Sequence, residues 1–172
     1  MKIIACDESF SDQMLAIFND AIVTSTAMYD YKPRTIDSMK NWFESKRQGN
    51  FPVVGIVSEQ GELMGFASYG IFRNWPAYKY TVEHSVYVAK SQRGQGIGKQ
   101  LLRLIIDEAK KQDYHVLVGV IDSDNAASIA LHQSLGFEHA GTLRHVGFKF
   151  GRWLDVAIYQ LVLETPREAV EG

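Results

Sequence analysis

Along the first quarter of the chain the apolar positions recur at intervals of three and four. Met14, Leu15, Ile17, Phe18, Ala21 and Ile22 form one stripe, which predicts a helix there, preceded by a short strand near Lys2 to Ala5. A second helix carrying Ile36, Met39, Trp42 and Phe43 is expected to start on Thr35 as its N-cap and to end at Gly49. From Pro52 the period falls to two. Val53 to Ser58, a turn at Glu59-Gln60-Gly61-Glu62, and Leu63 to Phe72 predict an antiparallel hairpin, with a third strand from Lys79 to Ala89. Helical spacing returns from Ile97 to Gln112 through Leu101, Leu104, Ile105 and Ala109, and the valine-rich run Tyr114 to Ile121 predicts a buried strand. Asn125 suits the N-cap of a short helix ending near Leu135, with Gly136 beyond it. Two last strands, Phe137 to Phe150 and Arg152 to Leu163, meet at Gly151. After the first strand the order is ααβββαβαββ, which predicts an α+β domain: one mixed, mostly antiparallel sheet flanked by helices, with a parallel pair joined across one helix.

Composition narrows the function classes. A chain of 172 residues, 46% hydrophobic, has enough apolar side chain for one core, so a single domain over 1–164 with a polar tail at 165–172 is expected. The net charge of −2 comes from 18 basic and 20 acidic residues that are interspersed, leaving no basic face for nucleic acid or membrane. Cys6 is the sole cysteine, which excludes an internal disulfide and a multi-thiolate metal site and fits a reducing compartment. Met1-Lys2-Ile3-Ile4 runs directly into Asp7 and Glu8, without the apolar run of a signal peptide, so a cytoplasmic protein is expected. His84, His115, His132, His139 and His145 show no ligand spacing, and no metal is expected.

The chemistry starts at Gln92-Arg93-Gly94-Gln95-Gly96-Ile97-Gly98-Lys99. Glycines at alternate positions between a strand and a helix either form a turn that merely starts the helix or let backbone N–H groups converge on a pyrophosphate, with Arg93 and Lys99 as compensating charge. The spacing fits neither a dinucleotide fingerprint nor a P-loop. The loop follows Val82-Glu83-His84-Ser85-Val86-Tyr87-Val88 and precedes Asn125-Ala126-Ala127-Ser128 through Leu135-Gly136-Phe137. Together these segments resemble the GNAT superfamily of N-acetyltransferases, whose cofactor loop has the form Q/R-x-x-G-x-G/A and whose later helix begins at Asn and ends in Gly-Phe. With Val146-Gly147-Phe148-Lys149-Phe150-Gly151-Arg152-Trp153-Leu154-Asp155, the resemblance extends to the phosphinothricin acetyltransferase group and its relatives that acetylate methionine sulfoximine or methionine sulfone.

The resemblance implies a GNAT-like fold with acetyl-CoA where two parallel strands splay apart. It places Val86, Tyr87, Val88, Arg93, Gly94, Gln95, Gly96, Ile97, Gly98, Lys99, Asn125 and Ser128 at the cofactor, and it implies a homodimer. In an extended segment Thr81, Glu83, Ser85 and Tyr87 share one face, and Val82, His84, Val86 and Val88 the other. A partly desolvated Glu83 has the raised pKa needed to deprotonate an ammonium group, although a strand carboxylate paired with a cation reads the same way. The family's matching glutamate is its proposed base. His132 stands where most GNAT enzymes carry a tyrosine acid, and it either protonates the departing thiolate or only hydrogen-bonds its neighbours. Cys6 lies far in sequence from every motif, which favours direct transfer in a ternary complex over an acetyl-cysteine route.

Phe72-Arg73-Asn74-Trp75-Pro76-Ala77-Tyr78-Lys79 interleaves aromatic residues with cations just before the strand of Glu83. It reads either as an exposed loop or as an acceptor site in which Arg73 holds an anionic group between Trp75 and Tyr78. Lys149 and Tyr29 complete the expected acceptor set. Trp75 stands where phosphinothricin enzymes carry a second basic residue, which opens the choice among phosphinothricin, methionine sulfoximine and methionine sulfone. The expected function is N-acetylation of a small amino-acid-like amine. A peptide N-terminal acetyltransferase and a silent acyl-CoA-binding regulator are the alternatives.

Overall fold

The change of period along the chain becomes a change of element at nearly every expected place. The computed structural model describes residues 1–172. Its elements are β1 (Lys2–Ala5), α1 (Ser11–Thr24), α2 (Ile36–Gln48), β2 (Val53–Val57), β3 (Leu63–Ile71), β4 (Thr81–Val88), α3 (Ile97–Lys111), β5 (Val116–Asp122), α4 (Ala126–Ser134), β6 (Glu138–Lys149) and β7 (Arg152–Val162). The strands hydrogen-bond in the order β1-β2-β3-β4-β5-β7-β6, with β4 and β5 parallel and the pairs β1–β2, β2–β3, β5–β7 and β7–β6 antiparallel. This is the mixed α+β sheet that the pattern predicted. No helix is long and apolar enough to cross a membrane.

The chain forms two compact units, Met1–Gly70 with Ser85–Ile105, and Ile71–His84 with Ile106–Gly172. In the first, α1 buries Met14, Ile17, Phe18, Ala21 and Ile22, the residues that helical spacing places on one side. They share a core with Met39 and Phe43 of α2 and with Val53, Leu63 and Phe66. Phe18 meets Phe66 edge-on at 5.0 Å, a geometry that aromatic quadrupoles favour. Gly65 lets the backbone close up here, because a Cβ at that position would lie 2.8 Å from the Tyr87 carbonyl oxygen.

Two details of α2 differ from expectation. Thr35 has the extended backbone of an N-cap, but its side chain makes no capping bond; Ser38 Oγ donates instead to the Thr35 carbonyl at 2.6 Å. Gly49 ends the helix at φ −82°, and the left-handed turn falls on Asn50 at φ +53°. Gly49 is there for space: an added Cβ would stand 2.1 Å from the Phe51 ring.

In the second unit β5 pairs with β7 from Val116↔Val162 to Asp122↔Val156, and β7 pairs with β6. The β6–β7 turn passes through Phe150 at φ +52° and Gly151 at φ +72°. The parallel pairing of β4 with β5 runs from Thr81↔Val116 to Glu83↔Val118, although β4 continues to Val88 and β5 to Asp122. Within segment 165–172, the Thr165 hydroxyl donates to the Tyr114 carbonyl and the Val170 N–H to the Tyr80 hydroxyl at 3.0 Å.

Candidate active site

Glu83 closes the parallel register of β4 with β5, half-buried in the second unit. Burial raises its carboxyl pKa above the ordinary range, and the positive charge of Arg73 offsets part of that rise. Arg73 is therefore within electrostatic reach of Glu83, while its Nη1 donates to the Phe72 carbonyl at 2.9 Å and its guanidinium lies over the Phe72 ring at 4.7 Å. Tyr78 meets the same ring edge-on at 5.6 Å. Trp75 stands 72% exposed, with no ring stacked on it. Lys149 is buried at the end of β6, its Nζ 5.0 Å from the Phe150 ring. Tyr29 belongs to the first unit and is exposed.

His84 carries the feature that spacing did not reveal. Its Nε2 lies 2.8 Å from Nε2 of His132, both residues are buried, and 48 positions of sequence separate them. The Ser128 carbonyl lies 2.7 Å from His132 Nδ1. A carbonyl only accepts, so His132 Nδ1 bears the hydrogen; in the neutral ring its Nε2 then accepts, and His84 Nε2 donates to it. His84 Nδ1 is left as a buried acceptor with no partner. The rings stack at 27°, and Phe137 packs against both. Burial and the neighbouring ring push the His84 pKa down to about 3, and burial lowers that of His132 despite the Ser128 bond. Both rings are neutral at neutral pH. A Cβ on Gly119 would meet them at 3.1 to 3.2 Å, so the absence of a side chain on β5 makes room for the pair.

In the first unit the loop after β4 adopts the expected form. Gly94 and Gly96 take φ +77° and +79°, a region that glycine enters without strain, and α3 begins at Ile97. A Cβ at either glycine would meet nothing within 4 Å, so the space beside the loop is open to a ligand. Arg93 reaches Asp20 and the Val88 carbonyl only at 3.4 Å, which leaves its charge able to turn to a phosphate. These features fit a pyrophosphate at the start of α3. Asn125 and Ser128, expected at the cofactor, are engaged in α4 itself: the Asn125 side chain accepts from the Ser128 N–H at 3.1 Å. The first unit also holds a cavity, about 470 Å³ including its mouth, lined by Trp42, Lys46, Phe66, Ser85 and Tyr87 among others. No sequence motif marked it.

The model of the Acetyltransferase (GNAT) family matches residues 13–137. The chain is 45% identical over 156 residues to the L-methionine sulfoximine/L-methionine sulfone acetyltransferase of Pseudomonas aeruginosa, covering 91% of each protein. Its fold superposes on a crystal structure of an N-acetyltransferase from Staphylococcus aureus Mu50 with a TM-score of 0.91 at 50% identity, over 94% of this chain and 97% of that one. A phosphinothricin acetyltransferase from Sinorhizobium meliloti, crystallised with acetyl-CoA, gives a TM-score of 0.93 at 31% identity, over 98% and 91%. With the glycine loop at the start of α3, the half-buried Glu83 on β4 and these matches in agreement, the chain belongs to the GNAT family and is an acetyltransferase.

Proposed function

We propose that the protein transfers the acetyl group of acetyl-CoA to the α-amine of a small amino acid whose side chain ends in a sulfone, sulfoximine or phosphinate. The observation that carries this reading is Glu83: a half-buried carboxylate with a raised pKa and a cation within electrostatic reach. Glu83 takes a proton from the acceptor ammonium, directly or through water. The freed amine attacks the acetyl carbonyl, the C–S bond breaks and the CoA thiolate leaves, and the nitrogen gives its extra proton to water as the amide forms. The α-amine and α-carboxylate share one carbon, so the cation that Glu83 feels suits the carboxylate, and Arg73 takes that role. The β4 backbone from Val86 to Val88 and the loop from Arg93 to Lys99 hold the donor, with the Val88 N–H assigned to the oxyanion.

His132 is not assigned as the acid, because its Nε2 accepts from His84 and has no proton to give. A thiolate is a weak enough base to leave unprotonated and take its proton from water. The pair instead holds α4 against its own strand. Direct transfer in a ternary complex is supported by Cys6, whose thiol burial pushes up to about 12, far from the thiolate that covalent transfer needs.

Leu143, Val146, Phe148, Phe150 and Trp153 are all exposed on the β6–β7 hairpin, and β6 is the last strand of the sheet. An apolar edge of this kind fits a homodimer, which light scattering would report. The decisive experiment for the activity is a CoA-release assay with methionine sulfone, methionine sulfoximine, phosphinothricin, ordinary amino acids, polyamines and peptide N-termini. Turnover confined to peptides would overturn the reading.

A further inference from the structure

The cavity of the first unit holds one cation that no anion of the protein matches. Lys46 lies in the last turn of α2, and its Nζ donates to the Tyr69 carbonyl at 2.8 Å while facing the Trp42 ring at 5.1 Å and the Phe51 ring at 5.8 Å. No carboxylate pairs with it, and burial alone draws its pKa down to about 8, so it is charged at neutral pH. The other cation of the lining, Arg34, is paired with Asp30 at 3.0 Å and stacked over Phe18 at 4.7 Å. A half-buried ammonium without an anion is a cost to the fold that a ligand oxygen would relieve. Two of its three donors remain after the Tyr69 bond.

The whole lining comes from the first unit, and it sets the chemistry of the ligand. Phe18, Trp42 and Phe66 give apolar walls held edge-to-face against one another. Ser68 Oγ is committed to the Pro52 carbonyl at 2.7 Å, so Lys46 is the principal donor. Ser85 of the lining is exposed, which gives a solute a way in from water. A dianion would bring one charge more than Lys46 matches among these rings, and a hydrocarbon would leave the ammonium unmatched. A bare inorganic anion would leave the aromatic walls uncovered. One carboxylate on an apolar body meets both demands, in keeping with small-molecule sites that combine apolar walls with a few orienting polar groups.

We propose that this cavity is a binding site for a small organic monoanion, its carboxylate bonded to Lys46 Nζ and its hydrocarbon part lying between Phe18, Trp42 and Phe66. The site is argued from the first unit alone and is independent of the assignment of Glu83. Two sources share the chemistry: a separate organic acid, and an amino acid bound through its own carboxylate.

The test is calorimetric titration of the full chain with 3-phenylpropionate and, as its neutral counterpart, 3-phenylpropionamide. The acid is expected to bind roughly ten- to a hundredfold more tightly than the amide, the range of one charge-assisted hydrogen bond. Lys46→Met is expected to abolish that preference while changing the amide by less than about threefold, within ordinary surface effects. Lys46→Gln, which keeps a donor without the charge, should retain only part of the preference and serves if the methionine variant does not fold. Competition identifies the source. Displacement of the acid by methionine sulfone upholds the site and gives it to an amino acid, whereas an acid affinity that saturating methionine sulfone leaves unchanged upholds it for a separate organic acid. Equal affinity for acid and amide in the wild-type chain, a preference that survives in full in either folded variant, or no saturable binding of the acid would each overturn the proposal. None of these readouts involves acetyl transfer, so failure of the cavity and failure of the acetyltransferase reading remain distinct.

Discussion

The loop from Arg93 to Lys99 and the histidine pair of β4 and α4 each depend on glycine, for opposite reasons. At Gly94 and Gly96 the requirement is conformational: φ is positive and the space beside the Cα is open. At Gly119 the backbone is ordinary strand, and the requirement is volume, because two imidazoles fill the place of a side chain. The loop keeps its polar groups exposed and ready for a ligand. The pair has its ring nitrogens bonded to each other and to the Ser128 carbonyl, leaving only His84 Nδ1 unmatched. An open site can bind and a closed one can position, and on this contrast rests the proposal that Glu83, half-buried between two buried neighbours on its strand, is the seat of proton transfer.

The largest expected effect breaks or upholds that assignment. Glu83→Gln should lower kcat by roughly 10² to 10⁴ and remove the acidic limb of the pH–rate profile, measured with the acceptor found in the panel assay. A Glu83→Gln variant that keeps the wild-type rate and acidic limb would remove Glu83 from the mechanism, whereas loss of turnover and of the basic limb in His132→Gln would make His132 the proton donor after all.

A smaller effect separates the two glycines. Gly119→Val places methyl groups against both rings and should destabilise the fold by about 1 to 3 kcal/mol through overpacking, seen in chemical denaturation. Gly96→Val, forced into a positive φ, should cost about 1 to 2 kcal/mol and should in addition weaken CoA binding in calorimetry. Unchanged CoA affinity in a folded Gly96→Val variant would remove the loop from the cofactor site.

The smallest effect is on acid stability. His84 has a folded pKa depressed to about 3, so below its unfolded value near 6.5 the unfolded chain binds a proton that the folded chain refuses, and stability falls with pH. The loss should be on the order of 1 kcal/mol by about pH 5.5 and absent above pH 7. A His84→Gln variant that melts with the same pH dependence as wild type between those limits would show that the pair is not neutral.

The amino-acid sequence by itself determined the elements, their order and the glycine loop, because each rests on local periodicity or on neighbours within one turn. Asn125 was legible as a cap and Gly136, at φ +88°, as a helix stop for the same reason. Glu83 was legible as a base candidate from strand alternation together with the family resemblance. The pairing of His84 with His132 was not, since alternation puts His84 on the buried face without saying what meets it there, and its partner comes from a helix 48 positions away. Lys46 likewise looks like a routine cation in the last turn of a helix, where the dipole favours one. Only the packing of α2 beside Tyr69 and Phe51 makes it a desolvated charge facing an aromatic cavity. Burial and pairing between distant segments depend on contacts that no local pattern encodes, and those contacts determine the protonation states on which the chemistry turns.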